Sequence, residues 1–128
     1  MLLDMAKVQP FSHNFNKDEA YYFNVTDNFV LEADAILYHG DCLNGLRTVP
    51  DDTIKLIVTS PPYNLGKGYE DATNLDTYFE TLSPIMAELV RVLSPEGSLC
   101  WQVGNYVDKG EIFPLDILYY PFFKRLGL

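Results

Sequence analysis

The sequence predicts an α/β fold with a mostly parallel sheet. Short apolar stretches rich in β-branched or aromatic residues alternate along the chain with segments whose apolar residues recur at helical spacing. The order strand, helix, strand, helix, strand, helix is typical of parallel strands joined by helical crossovers. With 128 residues, of which 48% are hydrophobic, the chain is long enough for one domain with a modest core.

The N-terminal elements are the least regular. Residues 1–34 show no clear period and are predicted to form an irregular arm ahead of a domain at residues 35–128. That domain begins with a strand at residues 36–39, a Gly-Asp turn and a short helix that Pro50-Asp51-Asp52 ends. Residues 54–59 follow and are apolar on both alternations after the lysine, which predicts a strand covered on both faces.

The longest helix is predicted between a cap at Thr73 or Asn74 and a terminating Pro95-Glu96-Gly97 turn. Pro84 is expected to kink this helix or to split it in two. Its apolar residues recur at helical spacing and are Leu75, Tyr78, Phe79, Leu82, Ile85, Met86, Leu89 and Leu93.

The last elements are a strand at residues 98–103 and a helix over residues 115–124, which Pro114 opens and Pro121 interrupts near its end. Cys42 and Cys100 lie far apart without metal-ligand spacing, so no metal site is predicted and both are expected to be reduced core thiols.

Composition excludes several classes of protein. No apolar run approaches the length of a membrane span, and the start of the chain is too short and too acidic for a signal peptide, so a cytoplasmic protein without a membrane partner is expected. A formal net charge of -9 argues against a surface that binds nucleic acid by itself.

Ser60-Pro61-Pro62-Tyr63 follows directly after the predicted strand at residues 54–59. Ligands of open α/β sheets bind at the carboxyl ends of strands, so this position makes the tetrapeptide a candidate site. On its own, such a string more often marks two prolines that end a strand beside a locally packed tyrosine. Its interpretation therefore depends on the motifs around it.

The order of motifs is more specific than the tetrapeptide. Gly40-Asp41-Cys42-Leu43 follows the first strand, Ser60-Pro61-Pro62-Tyr63-Asn64 follows the second, and Arg91-Val92-Leu93-Ser94-Pro95-Glu96-Gly97 follows the long helix. Over roughly residues 35–128 this arrangement resembles the DNA amino-methyltransferases that act on N4 of cytosine or N6 of adenine. Those enzymes use S-adenosylmethionine and carry an (Asp/Asn/Ser)-Pro-Pro-(Tyr/Phe) signature. The resemblance implies a partial Rossmann-like methyltransferase sheet and site-specific methylation of double-stranded DNA, as in restriction-modification.

The resemblance also implies roles for the tetrapeptide. An exocyclic amino nitrogen is conjugated with its ring and is a poor nucleophile. The Ser60 side chain and the Pro61 carbonyl would accept hydrogen bonds from it and aim its lone pair at the methyl group. Pro61 and Pro62 would hold that carbonyl rigidly, and Tyr63 would stack on a base flipped out of the duplex.

Three further residues complete the candidate site. Asp41 is either a turn aspartate bonded to its own backbone or, by the resemblance, a residue beside the adenosyl part of the cofactor. Asn64 is grouped with Tyr63 as substrate-binding. Lys67, in a loop with two glycines, either meets a DNA phosphate or is a solvated loop lysine. Gly104, at the end of the strand that follows the long helix, is expected at the same edge as Tyr63.

The family also has a Phe-x-Gly-x-Gly type motif and an acidic residue for the cofactor ribose, and the sequence contains neither. The resemblance places both beyond a target-recognition region, C-terminal to the motifs found here. The chain is thus expected to be the N-terminal, catalytic-motif portion of such an enzyme, lacking the Gly-rich cofactor half. Alone it is expected to be inactive, and marginally stable or self-associating, unless a C-terminal half or second chain supplies the rest.

The sequence leaves other functions open. The chain is also compatible with a noncatalytic remnant or interaction module, and related Pro-Pro-Tyr signatures serve RNA and protein-glutamine methyltransferases. Ser60 favours cytosine over adenine as the target base, since aspartate is commoner at this position in adenine enzymes. The recognition sequence is not predicted.

Overall fold

The computed structural model describes residues 24–64 and 73–128. The chain divides into two compact units, Met1–Gly40 and Asp41–Leu128. In the described ranges, no helix is both long enough and apolar enough to cross a membrane.

The described part of the first unit holds two short strands. Strand β1 (Val25–Thr26) pairs in parallel with β2 (Ala35–Ile36). A hydrogen bond of 2.8 Å from the Asn24 amide to the Asp34 carboxylate supports this pairing. The sequence predicts a longer strand at residues 36–39 and no strand in the arm. Both expectations are wrong in detail, because a two-residue strand is too short to show a period.

The second unit contains the elements that position the candidate site. In chain order they are α1 (Cys42–Leu46), β3 (Ile54–Thr59), α2 (Leu75–Val92), β4 (Leu93–Trp101), β5 (Asn105–Asp108), β6 (Glu111–Pro114) and α3 (Leu115–Leu126). Strands β3 and β4 pair in parallel and α2 connects them, which confirms the predicted strand, helix, strand crossover.

Helix α2 begins as predicted. The Asn74 side chain accepts a hydrogen bond of 2.9 Å from the Thr77 amide and so caps the first turn. Pro84 does not split the helix, and Pro121 does not interrupt α3. Both prolines are exposed, so the carbonyl that each leaves without an N–H partner can be satisfied by water.

The junction of α2 and β4 differs from the prediction. The helix ends at Val92 and β4 begins at once, and Pro95-Glu96-Gly97 lies in the irregular stretch of β4 between the paired residues Leu93 and Ser98. Leu93 pairs with Ile54, and the register shifts before the regular pairing of Leu56 with Ser98. Gly97 is required here, since a Cβ at this position would lie 2.9 Å from the Ser94 carbonyl oxygen.

A β-hairpin follows that the sequence does not predict. Strands β5 and β6 pair antiparallel with Asp108 opposite Glu111. The two residues between them, Lys109 and Gly110, have φ values of 48° and 86°, as a two-residue type I′ turn requires. Helix α3 then begins after Pro114, as predicted, and continues to Leu126.

The core lies between α2, α3 and β4. Its buried side chains are Tyr78, Leu82 and Met86 of α2 with Leu115 and Tyr119 of α3, and Trp101 of β4 packs against them.

The other face of the β3–β4 pair is exposed. Leu56 and Val58 are 60% and 71% exposed, and Cys100, which pairs with Val58, is exposed as well. We call Leu56, Val58 and Cys100 the uncovered face. The prediction of a strand covered on both faces is therefore wrong for the described residues, and so is that of two core thiols, because Cys42 is also exposed.

Arg91 joins α1 and the following loop to the end of α2. Its guanidinium donates hydrogen bonds of 2.9 Å to the carbonyls of Leu46 and Val49, and it forms ion pairs with Glu88 and Asp51. The hydrogen bonds to Glu88 and then Asp51 raise the pKa of the Arg91 guanidinium. Sequence spacing does not reveal the contacts of Arg91 with Leu46, Val49 and Asp51, because these partners lie 40 or more residues away in the chain.

Candidate functional site

The tetrapeptide lies at the carboxyl edge of the β3–β4 pair, as predicted. Strand β3 ends at Thr59 and Ser60 follows it. The Thr59 carbonyl accepts a hydrogen bond of 2.9 Å from the Gln102 amide, which continues the pairing one residue beyond β4. The first residue of the tetrapeptide is therefore fixed by the sheet.

The two ends of the tetrapeptide contact each other. The Ser60 Oγ and Tyr63 Oη atoms are 2.7 Å apart, a hydrogen bond in which either hydroxyl can donate. Ser60 is exposed, Pro61 is buried and Tyr63 is half-buried. Gly104 lies beside the Tyr63 ring, where a methyl group would be 3.7 Å from Cδ2 and Cε2. The expectation that Gly104 and Tyr63 share an edge is thus confirmed.

The middle of the tetrapeptide is bonded to the core. The Tyr78 hydroxyl donates a hydrogen bond of 2.5 Å to the Pro62 carbonyl. The Tyr119 hydroxyl donates one of 2.6 Å to Tyr78. Burial raises the pKa of the Tyr119 hydroxyl well above its usual range, and the hydrogen bond to Tyr78 raises it further. The tetrapeptide therefore rests on a pair of neutral phenols from two helices.

Asn64 has a buried side chain and a left-handed backbone with φ of 60°. Its Oδ1 accepts a hydrogen bond of 2.7 Å from the Thr73 amide, and its Nδ2 donates one of 2.6 Å to the Thr73 carbonyl. The sequence groups Asn64 with the substrate-binding residues, but its carboxamide is directed to Thr73. Asn64 and Thr73 flank segment 65–72, and these two hydrogen bonds link them. Lys67 belongs to that segment and lies outside the described residues.

Asp41 is the N-cap of α1. Its Oδ1 accepts hydrogen bonds of 3.0 and 3.2 Å from the amides of Leu43 and Asn44. The structure thus shows the first of the two interpretations that the sequence leaves open, an aspartate bonded to its own backbone. Asp41 is exposed, and both bonds use the same carboxylate oxygen, so its role beside a cofactor stays a prediction.

Trp101 packs beneath the site. Its ring makes edge contacts with Tyr119 and Phe123 at centroid distances of 5.2 Å and so packs against the core. Tyr78 and Tyr119 are missed as site residues. Tyr78 lies 16 residues from Pro62 and 41 residues from Tyr119, and the helical spacing of the two tyrosines indicates only that they are buried.

Within residues 24–64 and 73–128, no group of three or more His, Cys, Asp or Glu side chains is placed to hold a metal ion. The donors and acceptors of this edge are instead hydroxyls and backbone carbonyls. Such groups suit the recognition of an amino group and its hydrogens.

Comparison with known proteins decides the family. Residues 54–126, more than half of the chain, match the sequence profile of a family described as DNA methylase. The chain belongs to the DNA methylase family. The matched region of this DNA methylase chain includes the tetrapeptide, Tyr78 and Tyr119, and it begins after Asp41.

The curated relatives are methyltransferases, and one of them is named as a DNA adenine methyltransferase. The DNA methylase chain is 45% identical over 93 residues to the type II methyltransferase M.BglII of Bacillus subtilis, covering 72% of this chain and 26% of that protein. It is 38% identical over 71 residues to the DNA adenine methyltransferase YhdJ of Escherichia coli K12, covering 53% and 24%. The chain thus spans about a quarter of the length of these relatives.

Solved structures confirm a Rossmann-like methyltransferase fold. A DNA modification methylase from Thermus thermophilus matches with a TM-score of 0.59 and 29% identity, over 69% of this chain and 38% of that one. The same methylase complexed with S-adenosyl-L-methionine matches with a TM-score of 0.57. The cytosine-N4-specific PvuII DNA methyltransferase shares the fold, with a TM-score of 0.50 and 24% identity over 81% of this chain and 33% of that one. The predicted family and partial fold are confirmed.

Proposed function

We propose that this chain is the catalytic-motif portion of an S-adenosylmethionine-dependent DNA methyltransferase that modifies N4 of cytosine or N6 of adenine. One observation carries the proposal: Ser60-Pro61-Pro62-Tyr63 is fixed at the carboxyl edge of two parallel strands, with the Ser60 hydroxyl exposed. Membership of the DNA methylase family supports it.

Two acceptors are proposed for an amino group at this edge. Ser60 Oγ is the first. The Pro61 carbonyl is the second, and it accepts no hydrogen bond from any residue in the described ranges 24–64 and 73–128. Proline has no N–H, so Pro62 places no competing donor beside that carbonyl. Two acceptors aimed at the two amino hydrogens would draw the nitrogen out of conjugation and direct its lone pair away from the ring.

The reaction is a direct displacement. Bound S-adenosylmethionine would supply the methyl group: the amino lone pair would form the new N–C bond as the C–S bond breaks and its electron pair stays on sulfur. The proton lost by the methylated nitrogen would pass to solvent water at the exposed edge beside Ser60. This chain provides the acceptors and the alignment that bring the nitrogen into line with the methyl carbon.

The direction of the hydrogen bond between the Ser60 and Tyr63 hydroxyls determines how many lone pairs of Ser60 Oγ remain for the substrate amino group. If Ser60 donates to Tyr63, both lone pairs of Ser60 Oγ remain for the amino group; if Tyr63 donates, one is used. We therefore propose that Ser60 is the donor when substrate is bound. The same bond and Gly104 hold the half-buried Tyr63 ring in place, and the ring would stack on the flipped base.

Cofactor binding is proposed to involve Asp41, whose Oδ2 carries neither of the cap hydrogen bonds. The sequence has no Gly-rich strand-to-helix turn, so we propose that a C-terminal half or second chain completes the cofactor site and reads the DNA target. The uncovered face of β3 and β4 supports this proposal, since three apolar or sulfur side chains there lack a covering layer.

Substrate contacts follow from the placement of the remaining residues. Lys67 is proposed to meet a DNA phosphate, and Asn64 to act on substrate through segment 65–72, whose flanks it joins. Double-stranded DNA is the proposed substrate and the cytoplasm the proposed location. Ser60 favours cytosine as the target base, while the relatives include both cytosine and adenine enzymes.

The test measures transfer of labelled methyl groups from S-adenosylmethionine to duplex DNA by the chain, alone and with a supplied C-terminal half. We expect Ser60→Ala and Tyr63→Ala to reduce transfer about 100-fold in the complemented protein, and Lys67→Ala to reduce it much less. Ser83→Ala, a matched change at an exposed serine on α2, is expected to have no effect. Equal activity of all four variants would refute the site.

Acceptors and cofactor binding separate the alternatives. Transfer to RNA or to a glutamine peptide, but not to DNA, would assign the other methyltransferase classes. Failure on every acceptor would indicate a noncatalytic module. Calorimetry with S-adenosylmethionine then tests Asp41: Asp41→Asn keeps a cap and removes the charge, whereas Asp41→Ala removes both. Weaker binding in both variants assigns the carboxylate to the cofactor, and weaker binding in Asp41→Ala alone assigns only a cap.

A further inference from the structure

Two tyrosines outside the tetrapeptide form a chain of hydrogen bonds that ends on it. Tyr119 of α3 donates to Tyr78 of α2 at 2.6 Å, and Tyr78 donates to the Pro62 carbonyl at 2.5 Å. Tyr119 is 1% exposed and Tyr78 is 7% exposed. Neither side chain reaches the edge where a base would bind, and neither has a role in the chemistry described above.

A hydrogen bond to the Pro62 carbonyl restrains the backbone of the tetrapeptide. Proline rings fix φ at Pro61 and Pro62, so the shape of the tetrapeptide depends mainly on the remaining ψ angles. The sheet holds one end of the segment through the hydrogen bond between Gln102 and Thr59. The bond from Tyr78 holds the other end. Together the two attachments restrain the backbone that carries the Pro61 carbonyl and the Tyr63 side chain.

The burial of the two hydroxyls also calls for an explanation. The rings lie among aromatic neighbours, with Tyr119 at 5.1 Å from Phe79 and 5.2 Å from Trp101 between centroids. Phenylalanine would fill this core without the cost of burying two polar groups. Both hydroxyls donate toward the tetrapeptide. The Tyr119 hydroxyl donates to the hydroxyl oxygen of Tyr78, and the Tyr78 hydroxyl donates its own proton to the Pro62 carbonyl.

We propose that Tyr78 and Tyr119 are positioning residues for methyl transfer. By holding the Pro62 carbonyl they keep the Pro61 carbonyl and the Tyr63 ring in the geometry that an amino group and its base require. This inference rests on the proposed function, because it assigns the pair to the same site.

The experiment compares Tyr78→Phe and Tyr119→Phe with Tyr120→Phe, a matched change at a tyrosine of α3 that is 63% exposed. In the chain supplied with a C-terminal half, we expect Tyr78→Phe to lower kcat about 10-fold with KM for S-adenosylmethionine unchanged, and Tyr119→Phe to lower kcat about 3-fold. Tyr120→Phe should match the wild type. A kcat within twofold of the wild type for Tyr78→Phe, or a loss confined to KM, would overturn the proposal.

A second readout works without activity. Pro62–Tyr63 is the one Pro-Tyr pair in the sequence, so a chain with carbonyl-¹³C proline and ¹⁵N tyrosine gives a single peptide cross-peak in a carbonyl–amide correlation spectrum. We expect this peak to shift in Tyr78→Phe, to shift less in Tyr119→Phe and to stay in place in Tyr120→Phe. If Tyr78→Phe does not fold, Tyr119→Phe decides both readouts.

The two readouts fail separately. No methyl transfer by the wild type on any acceptor, with the expected peak shifts, would refute the proposed function and leave the hydrogen-bonded support of the tetrapeptide established. The opposite result is an active wild type, with the Pro62–Tyr63 peak unmoved and kcat unchanged in Tyr78→Phe and Tyr119→Phe. That result would refute the positioning role and leave the proposed function standing.

Discussion

The two faces of the β3–β4 pair differ in how completely they are packed. On one side, α2 and α3 bury Met86 and Leu115 fully and support the tetrapeptide through Tyr78. On the other side, Leu56 and Val58 remain more than half exposed. Among the described residues, the packed side provides the two tyrosine hydroxyls that support the tetrapeptide.

This difference separates the proposed amino-group site from the part that we propose completes the methyltransferase. In the described residues, the tyrosine hydroxyls that support the tetrapeptide come from α2 and α3. A cofactor half, by contrast, would cover the side that is bare, in agreement with the quarter of the relatives' length that the chain spans. We therefore expect the tetrapeptide to have the same geometry before and after the exposed side is covered.

The largest expected effect comes from the packed side. Met86→Ala removes a fully buried side chain and should lower the free energy of unfolding by about 2–5 kcal/mol, enough to leave a marginal chain unfolded. Val58→Ala, the matched change on the uncovered face, should alter it by less than about 0.5 kcal/mol. Urea titrations of both variants test this, and equal losses would mean that the two faces are equally packed.

Local signals account for what the sequence predicts correctly. The Asn74 cap, the helical spacing from Leu75 to Leu89 and the start of α3 after Pro114 each depend on neighbours within a few residues. The tetrapeptide falls at a strand end because a run of β-branched residues stops at a proline. Fold class and site position could therefore be predicted before any contact was known.

Several incorrect or missing predictions involve distant partners, and one involves an unusual turn residue. Leu93 continues the helical spacing of α2, yet it pairs with Ile54 of another strand. Lys109 is not a residue typical of a left-handed turn position, so the hairpin gave no clear signal. The link from Tyr119 through Tyr78 to Pro62 joins three parts of the chain that no spacing rule connects.

Gly97 gives the next largest effect, at the irregular start of β4. In Gly97→Ala the new methyl would lie 2.9 Å from the Ser94 carbonyl oxygen and 2.7 Å from Leu93 Cδ1, and the backbone oxygen cannot move away easily. We expect a loss of about 1–3 kcal/mol in urea denaturation. Gly104→Ala is the control, because its methyl would be 3.7 Å from the Tyr63 ring. Wild-type stability of Gly97→Ala would show that this backbone relaxes.

Tyr119 gives a smaller effect that depends on pH. Below about pH 10 the hydroxyl is protonated in both the folded and unfolded chain, and Tyr119→Phe should cost about 1 kcal/mol for the lost hydrogen bond. Above that pH the unfolded chain releases the proton while the raised pKa of Tyr119 keeps it in the folded chain. Stability should then fall by about 1.4 kcal/mol per pH unit on account of this group.

Urea midpoints between pH 8 and about pH 11, just above the ordinary tyrosine pKa, measure this difference. The wild type and Tyr120→Phe should lose stability more steeply above that pKa than Tyr119→Phe does. Parallel curves for all three proteins would mean that Tyr119 titrates alike in the folded and unfolded chain.

The smallest effect on stability, and the sharpest test of the uncovered face, comes from Cys100. Cys100→Ser should change the free energy of unfolding by less than about 0.5 kcal/mol, because the thiol is exposed. In dilute solution, Cys100 and Cys42 should both react with a thiol reagent at rates close to those of the unfolded chain. Adding a C-terminal half should slow Cys100 alone, since Cys42 lies outside the uncovered face. A different result would be slow reaction of Cys100 in the dilute chain, with fast reaction restored by the charge that Val58→Asp introduces. That result would show that two copies of the chain cover this face themselves.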